Sequence, residues 1–161
     1  MSSSMQGLVL SEKEIRKLKA IADYQFDRGV GEVLFRGELR AVKGKGGKIR
    51  QVWVDDKPLC SVRASDGFII LNREGAIRVH SALKFPRLRV VVADEAVPFV
   101  HKGRDVFAKH VIDADPEIRP AEEVLVVDQK DRLLATGKAV LTGEEMKVFK
   151  AGVAVKVRRG I

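Results

Sequence analysis

The chain has 161 residues, of which 45% are hydrophobic and 32% are charged. This balance is typical of a folded, soluble protein and excludes an intrinsically disordered one. No apolar run approaches the roughly 20 residues that a membrane-spanning helix requires, and the first six residues lack the apolar core of a signal peptide. We therefore expect a cytoplasmic protein.

The formal net charge of +8, from 30 Lys and Arg against 22 Asp and Glu, favours a polyanionic partner. When the chain is divided at Pro86, the first part has 16 basic and 10 acidic residues and the second has 14 and 12. Cys60 is the only cysteine, which excludes an intramolecular disulfide and a zinc cluster built of thiolates. We expect its thiol to be free and buried.

The first predicted element is a helix that begins with Ser11-Glu12-Lys13-Glu14, the pattern of a capping box. Apolar residues then recur at the helical spacing of three and four, and they form one face: Ile15, Leu18, Ile21 and Ala22. The glycines within residues 27–31 end the helix because they permit turn conformations.

Short β-type runs follow this helix, with turn-forming residues at positions 55–58 and 65–67 between them. The predicted strands are residues 33–35, 51–54, 68–71 and 77–79. The first half is therefore predicted to be a helix packed on a small antiparallel sheet. We assign it to a domain of residues 1–86.

The second half begins with a β-branched strand at residues 88–93, and we assign residues 87–161 to a second domain. A short helix is predicted to open at Lys102 and to run to about His110. Further strands are predicted at residues 124–127, 133–141 and 153–157, with a second capping box at residues 142–145. Many short strands with two short helices indicate a compact barrel, so the fold class is α+β.

Four segments of the second half resemble the PUA domain, an RNA-docking β-barrel, when their order and spacing are taken together. They are RVVV at 89–92 with EA at 95–96, HKGRDVFAK at 101–109, IRPAEEV at 118–124, and GVAVKVR at 152–158. The resemblance implies a PUA barrel that binds structured RNA. Ala121 departs from the pattern, which often has glycine there.

The first half resembles the domain that precedes PUA in archaeal tRNA-guanine transglycosylases. The resemblance rests on YQF at 24–26, GVGEVLF at 29–35, IR at 49–50, Leu59, Arg63 and DGF at 66–68. In that family this region grips tRNA, while a separate barrel of roughly two hundred further residues or more exchanges the base. The resemblance therefore implies a non-catalytic protein without a cofactor.

The first candidate RNA-binding segment is Lys102-Gly103-Arg104, which the resemblance places on the RNA-facing surface. A glycine at a helix opening lets the backbone approach a phosphate, and free N–H groups there favour an anion. Lys102 would supply a point charge and Arg104 a planar fork. Lys109 extends this set, and the alternative interpretation is an ordinary exposed helix start.

The last strand adds Lys156, Arg158 and Arg159, of which Lys156 and Arg158 share one face by the strand period of two. A charged edge strand that merely resists aggregation is the alternative.

The densest basic stretch runs from Arg36 to Arg50, and its predicted hairpin tip contributes the candidates Lys43, Lys45, Lys48 and Arg50. Such a tip can follow a phosphate backbone, although lysine-rich tips also serve solubility alone.

Neither metal nor aromatic base stacking is expected from the remaining candidates. His101 and His110 do not have a zinc-ligand spacing, and Phe107 is interpreted as a core residue.

Three roles stay open: an RNA-binding module in RNA modification, the RNA-gripping subunit of a split tRNA-guanine transglycosylase, and a ribosome-biogenesis or translation factor. The first two allow a catalytic partner protein.

Overall fold

A computed structural model describes residues 7–161 of the chain. These residues divide into two compact units, one that ends at Leu83 and one from Lys84 to Ile161, and each unit has its own sheet. None of the helices in residues 7–161 has the length and apolar character needed to span a membrane.

The first unit is an antiparallel five-stranded sheet with three helices. The strands lie in the order β1 (Leu8–Val9), β2 (Leu39–Lys43), β3 (Ile49–Val54), β4 (Lys57–Val62) and β5 (Ile69–Leu71). The helices are α1 (Glu12–Gln25), α2 (Val30–Leu34) and α3 (Arg73–Ala82). Alternate strand residues, among them Leu39, Ala41, Val52 and Val54, are buried in the core. The predicted helix on a small antiparallel sheet is confirmed.

Helix α1 begins where the capping box predicts. The Ser11 hydroxyl accepts a hydrogen bond from the Glu14 N–H, and the Glu14 carboxylate accepts one from the Ser11 N–H. Leu18 and Ala22 are the buried residues of the predicted apolar face. Cys60 is also free and buried as predicted, and burial raises the pKa of its thiol to about 12.

Two predicted strands of the first unit are wrong, because residues 33–35 fall at the end of α2 and residues 77–79 fall inside α3. Close packing at glycines accompanies both helices. A Cβ at Gly31 would lie 2.4 Å from the Lys19 carbonyl oxygen, and one at Gly75 would lie 2.3 Å from that of Leu59. Tertiary packing therefore overrides the β-preference of these valines and isoleucines.

The second unit is a six-stranded sheet that curls into a nearly closed barrel. Its order is β7 (Val106–Phe107), β11 (Val153–Gly160), β10 (Leu133–Ala139), β9 (Glu123–Val127), β6 (Arg89–Val92) and β8 (Val111–Ala114). Neighbouring strands are antiparallel except for β6 and β9, which are parallel. Every residue of β6 and β9 is buried. Helices α4 (Val97–His101) and α5 (Gly143–Val148) complete the unit.

Helix α5 starts at the predicted capping box, with Thr142 as its N-cap. The predicted helix from Lys102 to His110 is wrong: α4 ends at His101, and β7 follows before a 3-10 turn at Ala108–His110. Strand β7 forms because Val106 and Phe107 pair with β11. The alternation along β7 buries Val106 and leaves Phe107 44% exposed, so the interpretation of Phe107 as a core residue is also wrong.

Ala121 occupies a backbone conformation that favours glycine, with φ of 76°. The turn is held in place because the Ala121 N–H donates to the Ala139 carbonyl at 2.7 Å. The position where this sequence departs from the PUA pattern therefore keeps the left-handed conformation without the glycine.

We expect Ala121→Gly to raise the free energy of unfolding by up to ~1 kcal/mol, because relief of the left-handed strain exceeds the added chain entropy. Urea denaturation measures the change. Ala151→Gly is the control, since Ala151 is exposed and its φ is not positive, and it should lower stability slightly. Equal effects of the two substitutions would contradict the strain at Ala121.

Candidate nucleic-acid interface

The Lys102-Gly103-Arg104 segment closes helix α4 instead of opening a helix. The Lys102 N–H donates to the Phe99 carbonyl, the Gly103 N–H to that of Val100, and the Arg104 N–H to that of Phe99 at 3.1 Å. Gly103 has φ of 96°, the left-handed conformation that ends such helices. All three amides are occupied, so the predicted capture of an anion by free N–H groups is wrong.

The side chains of Lys102 and Arg104 remain exposed on this turn. Carbonyl dipoles at the end of a helix stabilise cations, so the location suits a lysine and an arginine. Phe99, which the sequence analysis did not single out, lies on the same short helix and is 58% exposed. Any contact with an anion here must come from side chains.

The end of strand β11 packs directly against this turn. A Cβ at Gly160 would lie 2.0 Å from the His101 carbonyl oxygen and 3.0 Å from the Gly103 nitrogen. Only glycine fits at position 160, and the contact sets Arg159 beside the turn that carries Lys102 and Arg104. Two segments that are more than fifty residues apart in the sequence thus meet.

Asp105 links the same turn to β11 by a hydrogen bond. Its Oδ1 accepts a hydrogen bond from the Val157 N–H at 2.9 Å. Because this bond is made to the backbone, it orients the turn whatever side chains β11 carries. This role of Asp105 is not predictable from the sequence, since its partner lies 52 positions away.

A β-bulge interrupts β11 at Arg158. The register pairs Gly137 with Val157 and Thr136 with Arg159, so Arg158 is the extra residue. A Cβ at Gly137 would lie 2.5 Å from the Lys156 carbonyl oxygen, which explains the glycine there. Because of the bulge, Arg158 and Arg159 are both exposed.

Arg158 is engaged by a buried acid. Its Nε donates to Oε1 of Glu123 at 2.9 Å, and the Glu123 side chain is only 3% exposed. This pair ties β11 to β9 across β10 and satisfies the buried carboxylate. The predicted positive charge of Arg158 is therefore largely neutralised inside the protein.

Lys156 lies directly opposite Lys138 in the pairing of β10 and β11, and both are exposed. Residues directly opposite in a ladder point to the same face, so two lysines stand side by side. Lys138 was not predicted, because the register of a strand pair is not encoded by a single basic residue. Glu123 of β9 lies directly opposite Lys138 on its other side, so a carboxylate of the protein already accompanies the two lysines.

Lys109 does not join this group. The Ala108 N–H donates to the Gly152 carbonyl at 2.9 Å, which places Lys109 at the start of β11. Gly160 lies at the far end of that strand, on the order of 25 Å away at the usual rise per residue. Lys109 and Lys102 therefore sit at opposite ends of β11.

In the first unit, the predicted basic tip is a tight turn between β2 and β3. Lys45 and Lys48 are exposed, whereas the Lys43 ammonium bonds the Glu14 carboxylate at 2.7 Å. The Arg50 side chain covers Gly44, where a Cβ would lie 2.9 Å from the Arg50 Nε. The four predicted residues are therefore not equivalent.

The Lys43 ammonium and the Ser11 N–H, both bonded to the Glu14 carboxylate, hold the pKa of Glu14 at about 2, below the usual 4.5. A carboxyl group whose pKa is lowered on folding stabilises the fold at pH values above its unfolded-state pKa. This contribution is lost as the pH falls towards 2.

We expect Glu14→Gln to lower the urea midpoint at pH 6, and we expect the difference from the parent protein to vanish as the pH approaches 2. Urea denaturation across this pH range measures it. Glu12→Gln, on the same helical turn but outside the ion pair, is the control. A constant difference at every pH would contradict the lowered pKa.

Comparison with known domain families assigns both units. Residues 16–86 match the family described as the patch-forming domain C2 of tRNA-guanine transglycosylase, and residues 88–161 match the PUA domain. The chain is a C2 domain followed by a PUA domain. The two resemblances noted in the sequence are confirmed.

Archaeal tRNA-guanine(15) transglycosylases are similar to this chain. The protein of Pyrococcus abyssi is 53% identical over 150 residues, which are 93% of this chain and 25% of the relative. The protein of Methanothermobacter thermautotrophicus is 46% identical over 148 residues, or 91% of this chain and 23% of the relative. The chain thus spans about a quarter of the length of these relatives, and its two domains are the part that they share.

Solved structures are also similar over most of this chain. A hypothetical protein from Pyrococcus horikoshii OT3 is 28% identical with a TM-score of 0.73, and the match covers 94% of this chain and 92% of that one. A conserved PUA domain protein from Thermoplasma acidophilum has a TM-score of 0.66 at 21% identity, with coverage of 95% and 92%. The second likeness shows the fold alone.

We expect Gly160→Ala to lower the free energy of unfolding by about 1–3 kcal/mol, because the added methyl overpacks the contact with the α4 turn. Thermal or urea denaturation of the whole chain measures the loss. The neighbouring Arg159→Ala serves as the control and should change stability by less than about 0.5 kcal/mol. A neutral Gly160→Ala would show that β11 and the turn are not tightly packed.

Proposed function

We propose that this chain is a non-catalytic RNA-binding protein that recognises structured RNA, tRNA or rRNA, through its PUA domain and acts in RNA modification. The similar transglycosylases are named for tRNA, which supports tRNA as the first RNA to test. The protein would recognise the shape of the RNA and the positions of its phosphates, as is usual for folded RNA.

One observation carries the proposal: the packing of Gly160 against the turn after α4. It gathers Lys102, Arg104 and Arg159 at one end of β11, and all three side chains are exposed. Among the described residues, none of these three forms an ion pair with an acid of the protein. Their charge is therefore available to an external anion.

Each side chain of this surface has a distinct chemical role. Arg104 and Arg159 present planar forks that pair bidentately with phosphate, and Lys102 supplies a compact charge. The exposed ring of Phe99 offers a stacking surface to an unpaired base. Lys156 adds an exposed cation on the sheet, whereas Lys138 lies opposite Glu123 and Arg158 is paired with that carboxylate.

The double variant Lys102→Glu with Arg104→Glu should weaken tRNA binding at least about tenfold at moderate salt. It should also make the negative slope of log affinity against log salt shallower by about 2, because two phosphate contacts are lost. Filter binding across a salt series measures both effects. Thermal stability should stay nearly unchanged, since both side chains are exposed.

The matched control carries the same charge change at the other end of β11, as Lys109→Glu with Lys150→Glu. Both of these lysines are exposed. Their reversal should reduce affinity less than that of Lys102 and Arg104. Equal affinities of the parent and the Lys102/Arg104 variant would overturn this surface as the RNA contact.

A second candidate function is the RNA-gripping subunit of a split tRNA-guanine transglycosylase. It is favoured by the 53% identity over 150 residues with a protein four times as long. In this version a separate catalytic subunit supplies the base exchange. Co-purification with such a subunit distinguishes it from an RNA-binding module that acts alone, and association with ribosomal particles would instead favour a translation or ribosome-biogenesis role.

A further inference from the structure

A cleft of about 500 Å³ opens in the C2 domain, and all of its lining residues belong to that domain. Its walls come from α1, from the end of the β2–β3 turn with the start of β3, and from the turn between β4 and β5. Clefts of roughly 300–1,000 Å³ are the usual size for small-molecule and cofactor sites. The volume therefore suits one small organic group.

One wall of the cleft is aliphatic. It is formed by Leu18 and Ile21 of α1, Ile49 of β3 and Val62 of β4. Leu18 is buried and the other three are half-buried, so apolar surface remains in contact with solvent. A flat ring laid against this wall would remove that surface from water, which is favourable.

Cations surround the same cleft. Lys17, Lys48 and Arg50 line it, and within residues 7–161 none of the three is in an ion pair. The two acids of the lining are already matched, Glu14 by Lys43 and Asp66 by Arg63 at 2.8 Å. The net charge offered to a ligand is positive, which favours an anionic group next to the aliphatic wall.

The two acids also remain charged acceptors. The Arg63 guanidinium, hydrogen-bonded to Asp66, lowers the pKa of that carboxyl, and the pKa of Glu14 is about 2. At neutral pH they accept hydrogen bonds and donate none. A ligand with N–H donors is compatible with them.

We propose that this cleft binds one unpaired nucleotide of an RNA, with its base against the aliphatic wall and its phosphate on the cations. The inference rests on the proposed RNA binding and adds a second, base-contacting site to it. The combination of an apolar wall, three cations without an acidic partner in residues 7–161 and charged acceptors matches a ring that bears N–H donors and is linked to a phosphate. A single nucleotide also fits the volume, whereas an extended peptide needs a longer groove.

The first experiment titrates the whole chain with AMP, CMP, GMP and UMP, and separately with ribose 5-phosphate, while amide chemical shifts are followed. We expect at least one of the nucleotides to shift the amides of Ile49, Val62 and Gly67, and ribose 5-phosphate to do so more weakly. Equal shifts with ribose 5-phosphate would overturn a role for the base. No shifts with any nucleotide would overturn the site.

The second experiment changes the cleft and measures affinity for the best nucleotide and for tRNA. Ala64→Trp fills the opening from an exposed position, so it should leave the fold intact and abolish nucleotide binding. Lys17→Ala and Lys48→Ala should each weaken nucleotide binding about fivefold. The matched controls are Lys13→Ala, one turn earlier on α1, and Lys45→Ala, on the same tip; neither residue lines the cleft.

The two proposals fail in different ways. If tRNA binds but Ala64→Trp leaves its affinity unchanged and no nucleotide shifts the cleft amides, the cleft inference fails and the PUA surface stands. If nucleotides bind the cleft while neither tRNA nor rRNA binds at low salt, the proposed function fails. The inference that the bound nucleotide belongs to an RNA then fails as well. An equal loss of nucleotide affinity in the lysine variants and in their controls would show that only net charge matters, and it would overturn the site.

Discussion

The double-sided pairing of strand β11 is the constraint on which the proposed RNA surface depends. This strand is hydrogen-bonded to β10 on one edge and to β7 on the other, and its last residues press on the turn after α4. The contacts at Gly137 and Gly160 leave no space for side chains. Because the backbone is fixed in this way, the positions of Lys102, Arg104 and Arg159 follow from main-chain packing and not from contacts among the cations.

A high net charge does not by itself mark a binding surface in this protein. Arg158 satisfies the buried Glu123, Arg89 is buried and bonds Asp131 at 3.0 Å, and Lys43 bonds Glu14. These cations stabilise carboxylates that the fold itself uses. Removing one of them would take a hydrogen-bond partner from its acid, so the measured effect would be a loss of stability and not weaker binding. Lys102, Arg104 and Arg159 have no such acidic partner within residues 7–161.

Features encoded by neighbouring residues were predictable from the sequence. The capping boxes at Ser11 and Thr142 start α1 and α5, and the Asp55-Asp56 turn, with φ of 45° and 72°, joins β3 to β4. The two domain resemblances were equally readable, since they depend on the order of short motifs. Each of these signals lies within a few residues of the structure that it specifies.

Features decided by distant contacts were not predictable. The glycine of Lys102-Gly103-Arg104 suits either end of a helix, and only the carbonyls of α4 show that it is the closing end. Packing at Gly31 and Gly75 turns β-preferring residues into helix. The pairing of Lys138 with Lys156 and the separation of Lys109 depend on the register of β11, and the cleft of the C2 domain needs three segments that meet only in the fold.

The parallel pair of β6 and β9 has a consequence for how this domain can diversify. Parallel neighbours cannot be joined by a hairpin, so the chain must leave the buried centre of the barrel after β6 and return to it at β9. Helix α4 and the turn that carries Lys102 and Arg104 lie on that excursion. Substitutions there leave the hydrogen-bond ladder between β6 and β9 untouched, so the same scaffold can present a different surface at this turn without rebuilding its centre.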